Sequence, residues 1–419
     1  MFLEKGTFTG KKNRIIVGFD LGEEVSQISF RSLEDGEPRT VSAVTGEEQY
    51  DIPTVLCRRW EGNQWAFGRE ALRLSEAGEG ILVEHLLSRA KTGEELTVGE
   101  ETFDAVALLA LFIRRSLSLL GLSSVPEQIE SLMVTVEELD RDTARVLSEA
   151  VDAIQLQTEH IYFQNHVESF YYYALNQPKD LWMGRVLVCD DNGERLKTYL
   201  LECNRRTTPI VAFVEEEEHP QAKHDDDLLH GILEERCREK AVTCAYLIGR
   251  GFEEEWYSNS LKYLCRGRRV FRGNNLYSKG ACYGAEENRM PGEIGRQYVF
   301  LGKEKLKANL GMRVLRQGED SYFALLSGGM NWFDADRNWE FYLENGNSFS
   351  IIVTPLTGRE SKEVEIILHE LPERGERATR IGMSLSMESE KDVLLTLEDL
   401  GFGEIYPATH KIWQERFSV

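Results

Sequence analysis

The sequence predicts a layered α/β body of two related halves, the second shortened, followed by an antiparallel β-sandwich. Three observations carry this prediction. A short apolar strand ending in aspartate and a glycine turn occurs twice, about 170 residues apart, a period too long for a solenoid. Strand-like runs alternate with helix-like runs through this region, the pattern of an α/β layered domain. Beyond Met290 the texture changes to short strand-like runs separated by glycine and polar turns, the pattern of a sandwich.

The first strand runs from Arg14 to Asp20 and is followed by Gly22. Val25, Gln27 and Ser29 then alternate with Ser26, Ile28 and Phe30, which predicts a second strand after a tight turn. The second copy runs from Val186 to Asp191, turns at Asn192 and Gly193, and continues as a strand from Leu196 to Glu202. Superposed, Val17 falls on Val188, Asp20 on Asp191, Gly22 on Gly193 and Glu23 on Glu194. Phe103 to Leu120 is apolar on most faces and predicts a buried helix, and Ser131 to Val136 predicts a buried strand. Glu137 to Ile154 opens with acidic residues, which suit a helix N-terminus, and its apolar residues recur at helical spacing. The second half predicts a helix from Asp227 to Ala241, a strand from Thr243 to Ile248, a turn at Gly249 to Gly251 and a helix from Glu253 to Leu264. Five sandwich strands are expected, at Tyr322–Leu326, Phe349–Val353, Glu363–Leu368, Thr379–Met387 and Val393–Leu397. The boundary falls between Met290 and Asn309, giving domains 1–295 and 296–419. Glu215 to Glu218 with Asp225 to Asp227 reads as an exposed acidic loop.

At 419 residues the chain has ample length for a sizeable core, and 29% charged with 10% aromatic residues fits a globular protein rather than a disordered one. Its 49 basic against 71 acidic side chains leave a net charge of −22, which repels phosphate backbones and anionic lipid and argues against nucleic-acid or membrane-surface binding. No stretch approaches the roughly 18 apolar residues of a membrane span. Met1 to Arg14 precede only the short apolar run Ile15 to Phe19, so no signal peptide is expected. The seven cysteines include no Cys-x-x-Cys, which disfavours structural zinc and a disulfide framework and makes the cytoplasm the expected compartment.

A strand-end aspartate, a glycine turn and a second strand, occurring twice, is how the actin, sugar-kinase and heat-shock ATPase superfamily grips nucleotide. Its turns bring backbone N–H groups to the phosphates, and its aspartates hold the metal ion or its waters. Ile15 to Ala285 resembles the ATPase domain of the seventy-kilodalton heat-shock chaperone family. The resemblance is carried by Phe19-Asp-Leu-Gly22 with Ser26, Asp51-Ile-Pro-Thr-Val55, Ala66-Phe-Gly-Arg69, Val134-Thr-Val136, Leu187-Val-Cys-Asp190 with Leu200-Leu-Glu202, Leu247-Ile-Gly249 and Gly284-Ala285. In the C-terminal domain Ile351 to Gly358, Leu371-Pro372 with Arg374 and Gly375, Arg380 to Met387, and Val393 to Asp399 with Gly401 and Gly403 are similar to that family's peptide-binding sandwich. The resemblance implies an actin-like ATPase fold, with Asp20, Lys91 and Asp191 as the catalytic set of an active enzyme. It implies Gly22, Ser26, Asp190, Gly193, Gly249 and Gly251 around the nucleotide. Arg89 is the second candidate for the lysine's role, and Asn165 falls on the family's connecting-helix glutamate with Glu168 close by.

The departures bear on function. Glu23 and Glu24 stand where the family carries small hydroxyl or glycine residues, and Asp190 to Arg195 replaces a run of glycines followed by threonine. Depending on one gap, either Asp190 or Asp191 takes the metal-binding role. A carboxylate about 4 Å from a phosphate charge costs roughly 4 kcal/mol at an effective dielectric of about 20, so two such loops weaken nucleotide binding severely unless the glutamates turn outward or magnesium intervenes. Glu253 to Glu255 are expected at a helix N-terminus, where they compete with an anion. The interval from Glu202 to Thr243 is too short for the lobe that closes over adenine in the family. The chain ends at Val419, soon after the sandwich, so the family's helical lid is expected to be missing. Together these imply a chaperone-like protein with a degenerate ATPase domain and no cofactor, acting as a protein- or peptide-binding module or scaffold. The alternative is a working but slow ATPase that uses Mg-ATP or ADP. An actin-like filament protein leaves the sandwich unexplained.

The other constellations favour structural roles. His219, His224 and His230 with Asp225 and Asp226 have the spacing of no standard metal site. Arg266, Arg268, Arg269 and Arg272 follow a helix, whose C-terminus favours cations. Tyr171 to Tyr173, and Trp332, Phe333 and Trp339, read as packing groups.

Overall fold

The computed structural model describes residues 14–33, 36–44, 46–219, 224–238, 241–358 and 360–419. Residues 1–13, on which the signal-peptide expectation bears, and residues 239–240 of the expected helix Asp227–Ala241 lie outside these. The chain divides into two compact units, Met1–Glu202 with Val214–Arg296, and Cys203–Phe213 with Gln297–Val419.

The first unit is mixed α/β and repeats one plan. In its first sheet Ile15–Leu21 pairs antiparallel with Val25–Ser32 and parallel with Ile129–Val136, which pairs parallel with Ile161–Asn165. In its second sheet Arg185–Asp191 pairs antiparallel with Leu196–Asn204 and parallel with Val242–Ile248, which pairs parallel with Arg269–Arg272. The central strands are buried on both faces, as parallel sheets require, and so read as continuous apolar runs. A helix follows the last parallel strand of each set, His166–Leu175 and Leu276–Arg289. These helices cross so closely that a Cβ on Gly280 would lie 2.0 Å from the Ser169 carbonyl oxygen. Among the described residues no helix is long and apolar enough to cross a membrane.

Local chemistry moves several expected boundaries. The helix expected from Glu137 begins at Arg141, because Asp140 takes the cap and its carboxylate accepts the Thr143 N–H. Glu137 is thereby left in the strand-to-helix turn. Glu253 to Glu255 do not open a helix: they follow the short helical turn Arg250–Phe252, and the next helix is Ser258–Leu264. Phe252, Trp256 and Tyr257 pack edge-to-face and stacked across that stretch. Glu215 to Glu218 are strand residues of Ile210–His219 rather than loop, with Arg195, Lys197 and Arg236 as ion-pair partners.

Among the described residues the second unit carries two four-stranded antiparallel sheets, eight strands where five were expected. Ala308–Arg316, Arg337–Leu343 and Ile412–Ser418 are the additions; the last two, and the end of the first from Arg313, carry charged and partly exposed residues. One apolar core, with Leu310, Ile351, Ile381, Leu395 and Trp413 among its members, takes side chains from both sheets. Arg374 and Asp399 form a buried bidentate pair at 2.6 and 2.7 Å.

Gly18 is the tightest point between the first sheet and Leu276–Arg289: an added Cβ would meet the Ser278 carbonyl oxygen at 2.2 Å and the Cys282 nitrogen at 2.3 Å. Both neighbours are backbone and cannot step aside. Gly18→Ala is expected to destabilise the protein by about 2–3 kcal/mol, measured by chemical denaturation, from overpacking.

Candidate functional site

The parallel strands of the first unit end together, and their carboxyl ends line a cavity of about 200 Å³. Asp20 and Asp190 face it from the two halves, with Gln27, Asp51, Glu137, Arg195, Lys197 and Arg250 around them. Asp190, not Asp191, is the counterpart of Asp20. Side chains alternate along a strand, and Gln27 stands across from Asp20 as Lys197 stands across from Asp190. The repeat is therefore one residue tighter than the glycine-matched superposition. Asp191 is buried on the other face, accepts the Gly193 N–H at 2.8 Å, and abuts Gly251, where a Cβ would fall 2.1 Å from its Oδ2.

Two aromatic residues join the aspartates. His166, the first residue of its helix, approaches Asp20 Oδ1 with Nε2 at 2.7 Å. The imidazole stacks on the ring of Tyr277, with centroids 3.9 Å apart and planes within 9°. The Tyr277 hydroxyl donates to Asp190 Oδ2 at 2.7 Å. Burial opposes a charge on His166, but Asp20, Asp190 and Glu137 outweigh it and hold the imidazole above its ordinary value. Burial pushes Asp190 up, against the Tyr277 bond and the His166 charge. Burial and the adjacent Asp190 raise the Tyr277 phenol well above its ordinary range, so it stays a donor.

A second cluster closes the cavity beside them. Glu137 accepts from Lys197 Nζ at 2.7 Å and from the Arg195 guanidinium. Burial alone would raise Glu137, yet Lys197 and then Arg195 hold its carboxyl below the usual value.

The other expected site residues lie elsewhere. Gly249 lines the cavity, but Gly22, Ser26, Gly193 and Gly251 are outside its lining. Ser26 is buried with its hydroxyl 2.8 Å from that of Thr54, and Gly22 makes the hairpin turn tight against the Val25 carbonyl. Lys91 is paired with Asp140 at 3.0 Å and Arg89 with Glu94, both outside the lining. Asn165 caps the helix His166–Leu175, accepting the Glu168 N–H. The expected carboxylate barrier at Glu23, Glu24 and Glu194 is also absent from the lining. Glu23 turns away to accept the Ser88 N–H, Glu24 pairs with Arg250 at 2.6 Å, and Glu194 is exposed on its turn. The negative charge inside the cavity comes instead from Asp20, Asp51, Glu137 and Asp190.

The two aspartates already have partners within the chain. One oxygen of Asp20 meets the His166 ring nitrogen and one oxygen of Asp190 accepts the Tyr277 O–H, with the two rings stacked on each other. Among the described residues no group of three or more His, Cys, Asp or Glu side chains is arranged to hold a metal. His219 bonds Thr198, His224 stacks on Trp256, and His230 packs against Tyr263. Arg268 lies over Tyr263, Arg269 pairs with Asp180, and Tyr171 to Tyr173 pack within the first unit.

The second unit holds a larger cleft, about 720 Å³. The ladder between Ala308–Arg316 and Ser348–Pro355 stops at Gly311 and Ile352, while each strand stays paired to its other neighbour. Met312, Val314, Leu315, Phe341 and Phe349 line the resulting split. Trp332, Phe333 and Trp339 pack against the core or its edge.

The profile of a family of unknown function, DUF5716, C-terminal, matches residues 37–303, and that of a domain of unknown function, DUF8552, matches residues 305–419. With most of its length inside the first match, the chain belongs to the DUF5716 family. No curated protein matches it.

Lys197→Met is expected to cost about 1 kcal/mol near neutral pH, a value reduced because Glu137 is partly exposed and keeps Arg195. The Glu137 carboxyl is depressed in the folded state, so its contribution is full above the ordinary value of 4.5 and is lost as pH falls through the depressed one. Denaturation curves of the two proteins should therefore converge in acid.

Proposed function

We propose that this protein is a heat-shock-chaperone-like binding protein: its first unit is a scaffold on the plan of an actin-like ATPase, without efficient ATP hydrolysis. Its second unit, a sandwich-type module, holds an extended segment of a protein partner. The observation that carries the first half of this proposal is the link Asp20–His166–Tyr277–Asp190. The two carboxylates that would hold a hydrated cation in an ATPase of this superfamily are spent on the protein's own donors. A cavity of about 200 Å³ is also small beside the roughly 300–1,000 Å³ of ligand pockets. A slow ATPase is the alternative, favoured by the convergence of Asp20, Asp190 and Gly249 on one cavity. The cytoplasm is the compartment we assign.

The second half is supported by the split sheet. Where two strands part, their facing backbone groups are available to pair with an inserted strand, and apolar side chains beside them offer pockets for alternate residues. The volume of about 720 Å³ is ample for several side chains. Leu315 is 41% exposed at this cleft, so a charge there disturbs binding rather than folding.

Calorimetric titration with Mg-ATP is expected to show no binding in the micromolar range and no turnover; micromolar affinity with turnover would reinstate the ATPase. Fluorescence anisotropy with labelled, apolar-rich extended peptides should detect binding by the wild-type protein. Leu315→Asp should weaken it at least about tenfold, about 1.4 kcal/mol, with an unchanged melting temperature. Equal affinity of the two proteins would remove the cleft from the proposal.

A further inference from the structure

Three ties made only of protein groups cross the cleft of the first unit. The deepest is the chain of four side chains from Asp20, at the end of the first sheet's central strand, through His166 and Tyr277, to Asp190 at the end of the second sheet's. Beside it Glu137, at the end of the first sheet, accepts from Arg195 and Lys197 of the second. At the mouth Glu24, in the first hairpin turn, pairs with Arg250 of the second half at 2.6 Å. The helix Leu276–Arg289 packs on the first sheet, so the bond of the deep tie that parts if the halves move is Tyr277 to Asp190; in the others it is Arg195 and Lys197 to Glu137, and Arg250 to Glu24.

We propose that the first unit is a permanently closed clamp: its own side chains hold the two halves together in the place where a bound cation and phosphates would otherwise bridge them. This deepens the non-hydrolysing scaffold proposed above and rests on it. In a ligand-gated clamp, closure depends on a ligand that binds the closed form better than the open one. Here the differential contacts are built into the chain, so the closed form needs no ligand. The deep tie suits this role because its parts are pre-placed: both rings stand at helix starts whose positions are set by the helix crossing at Gly280. The carboxylate neighbours favour protonation of His166, and burial with Asp190 keeps the Tyr277 phenol protonated as a donor. The Arg195 and Arg250 bonds of the outer ties are half-exposed and screened by water and salt, while the Lys197 bond to Glu137 starts from a buried lysine.

Hydrogen exchange followed by mass spectrometry on the full chain tests the clamp. The readout is exchange at the cleft turns, residues 20–25, 137–140, 192–195 and 249–251. In the wild-type protein these turns should exchange at the same rate with and without millimolar Mg-ATP. The double variant His166→Ala with Tyr277→Ala should exchange there at least about tenfold faster, while residues 308–419 exchange as before. Tyr277→Phe, which keeps the stack and loses only the Asp190 bond, should fall between. If the double variant fails to fold, Arg195→Ala with Arg250→Ala keeps the core intact and should speed exchange at the same turns by a smaller factor. Unchanged exchange in every folded variant would overturn the clamp even if ATP fails to bind. Slowing of the wild-type turns by Mg-ATP would overturn it too. Calorimetric binding of Mg-ATP without such slowing would reject the scaffold's nucleotide incompetence while leaving the clamp standing.

Discussion

A buried charge is tolerated only when it is paired and hydrogen-bonded, and the first unit places aspartates at the ends of both central strands. The parallel topology brings Asp20 and Asp190 to one cavity, so their charges must be compensated together. The compensation arrives from the two crossing helices, as an imidazole and a phenol stacked face to face. Much else follows from that arrangement. The helices must approach closely, which demands Gly18 and Gly280 at their contacts, and Glu137 in turn requires Lys197 and Arg195 beside the same cavity.

The second unit solves a different problem. Its two sheets bury one apolar core, yet one sheet is only partly zipped, leaving strand backbone and apolar side chains at a cleft. The core and the Arg374–Asp399 pair give the rigidity against which such a split can persist. A binding surface on a firm frame loses less entropy on capturing a flexible segment than a mobile surface would. The physical contrast between the units is therefore between a cleft whose two central carboxylates have partners within the chain and one bordered by strands that part from each other.

Legibility varied with the range of the interaction. The central strands were readable because an apolar run buried on both faces has few alternatives, and the two-half plan was readable because its strand–turn–strand unit recurs. Asp190 was left open against Asp191, since a one-residue register shift exchanges the faces of a strand and glycines alone do not set the register. The direction of Glu23 and Glu24 is open in the sequence, because it depends on the distant Ser88 N–H and Arg250 that draw them aside. His166 and Tyr277 gave no local signal of partnership. The one available hint was the position of His166 next to Asn165, a residue the family resemblance had already marked.

By itself, the sequence determined the burial of the strands, the repeat, the acidic balance and the change of texture after Met290, because periodicity and composition act over a few residues. Only the tertiary structure decided which aspartate faces the cavity, what compensates it, and that one sheet of the second unit parts after Gly311. Those outcomes depend on helix crossing and sheet register, which bring together side chains more than a hundred positions apart. No local pattern encodes such a meeting, and the charges it buries are what make it specific.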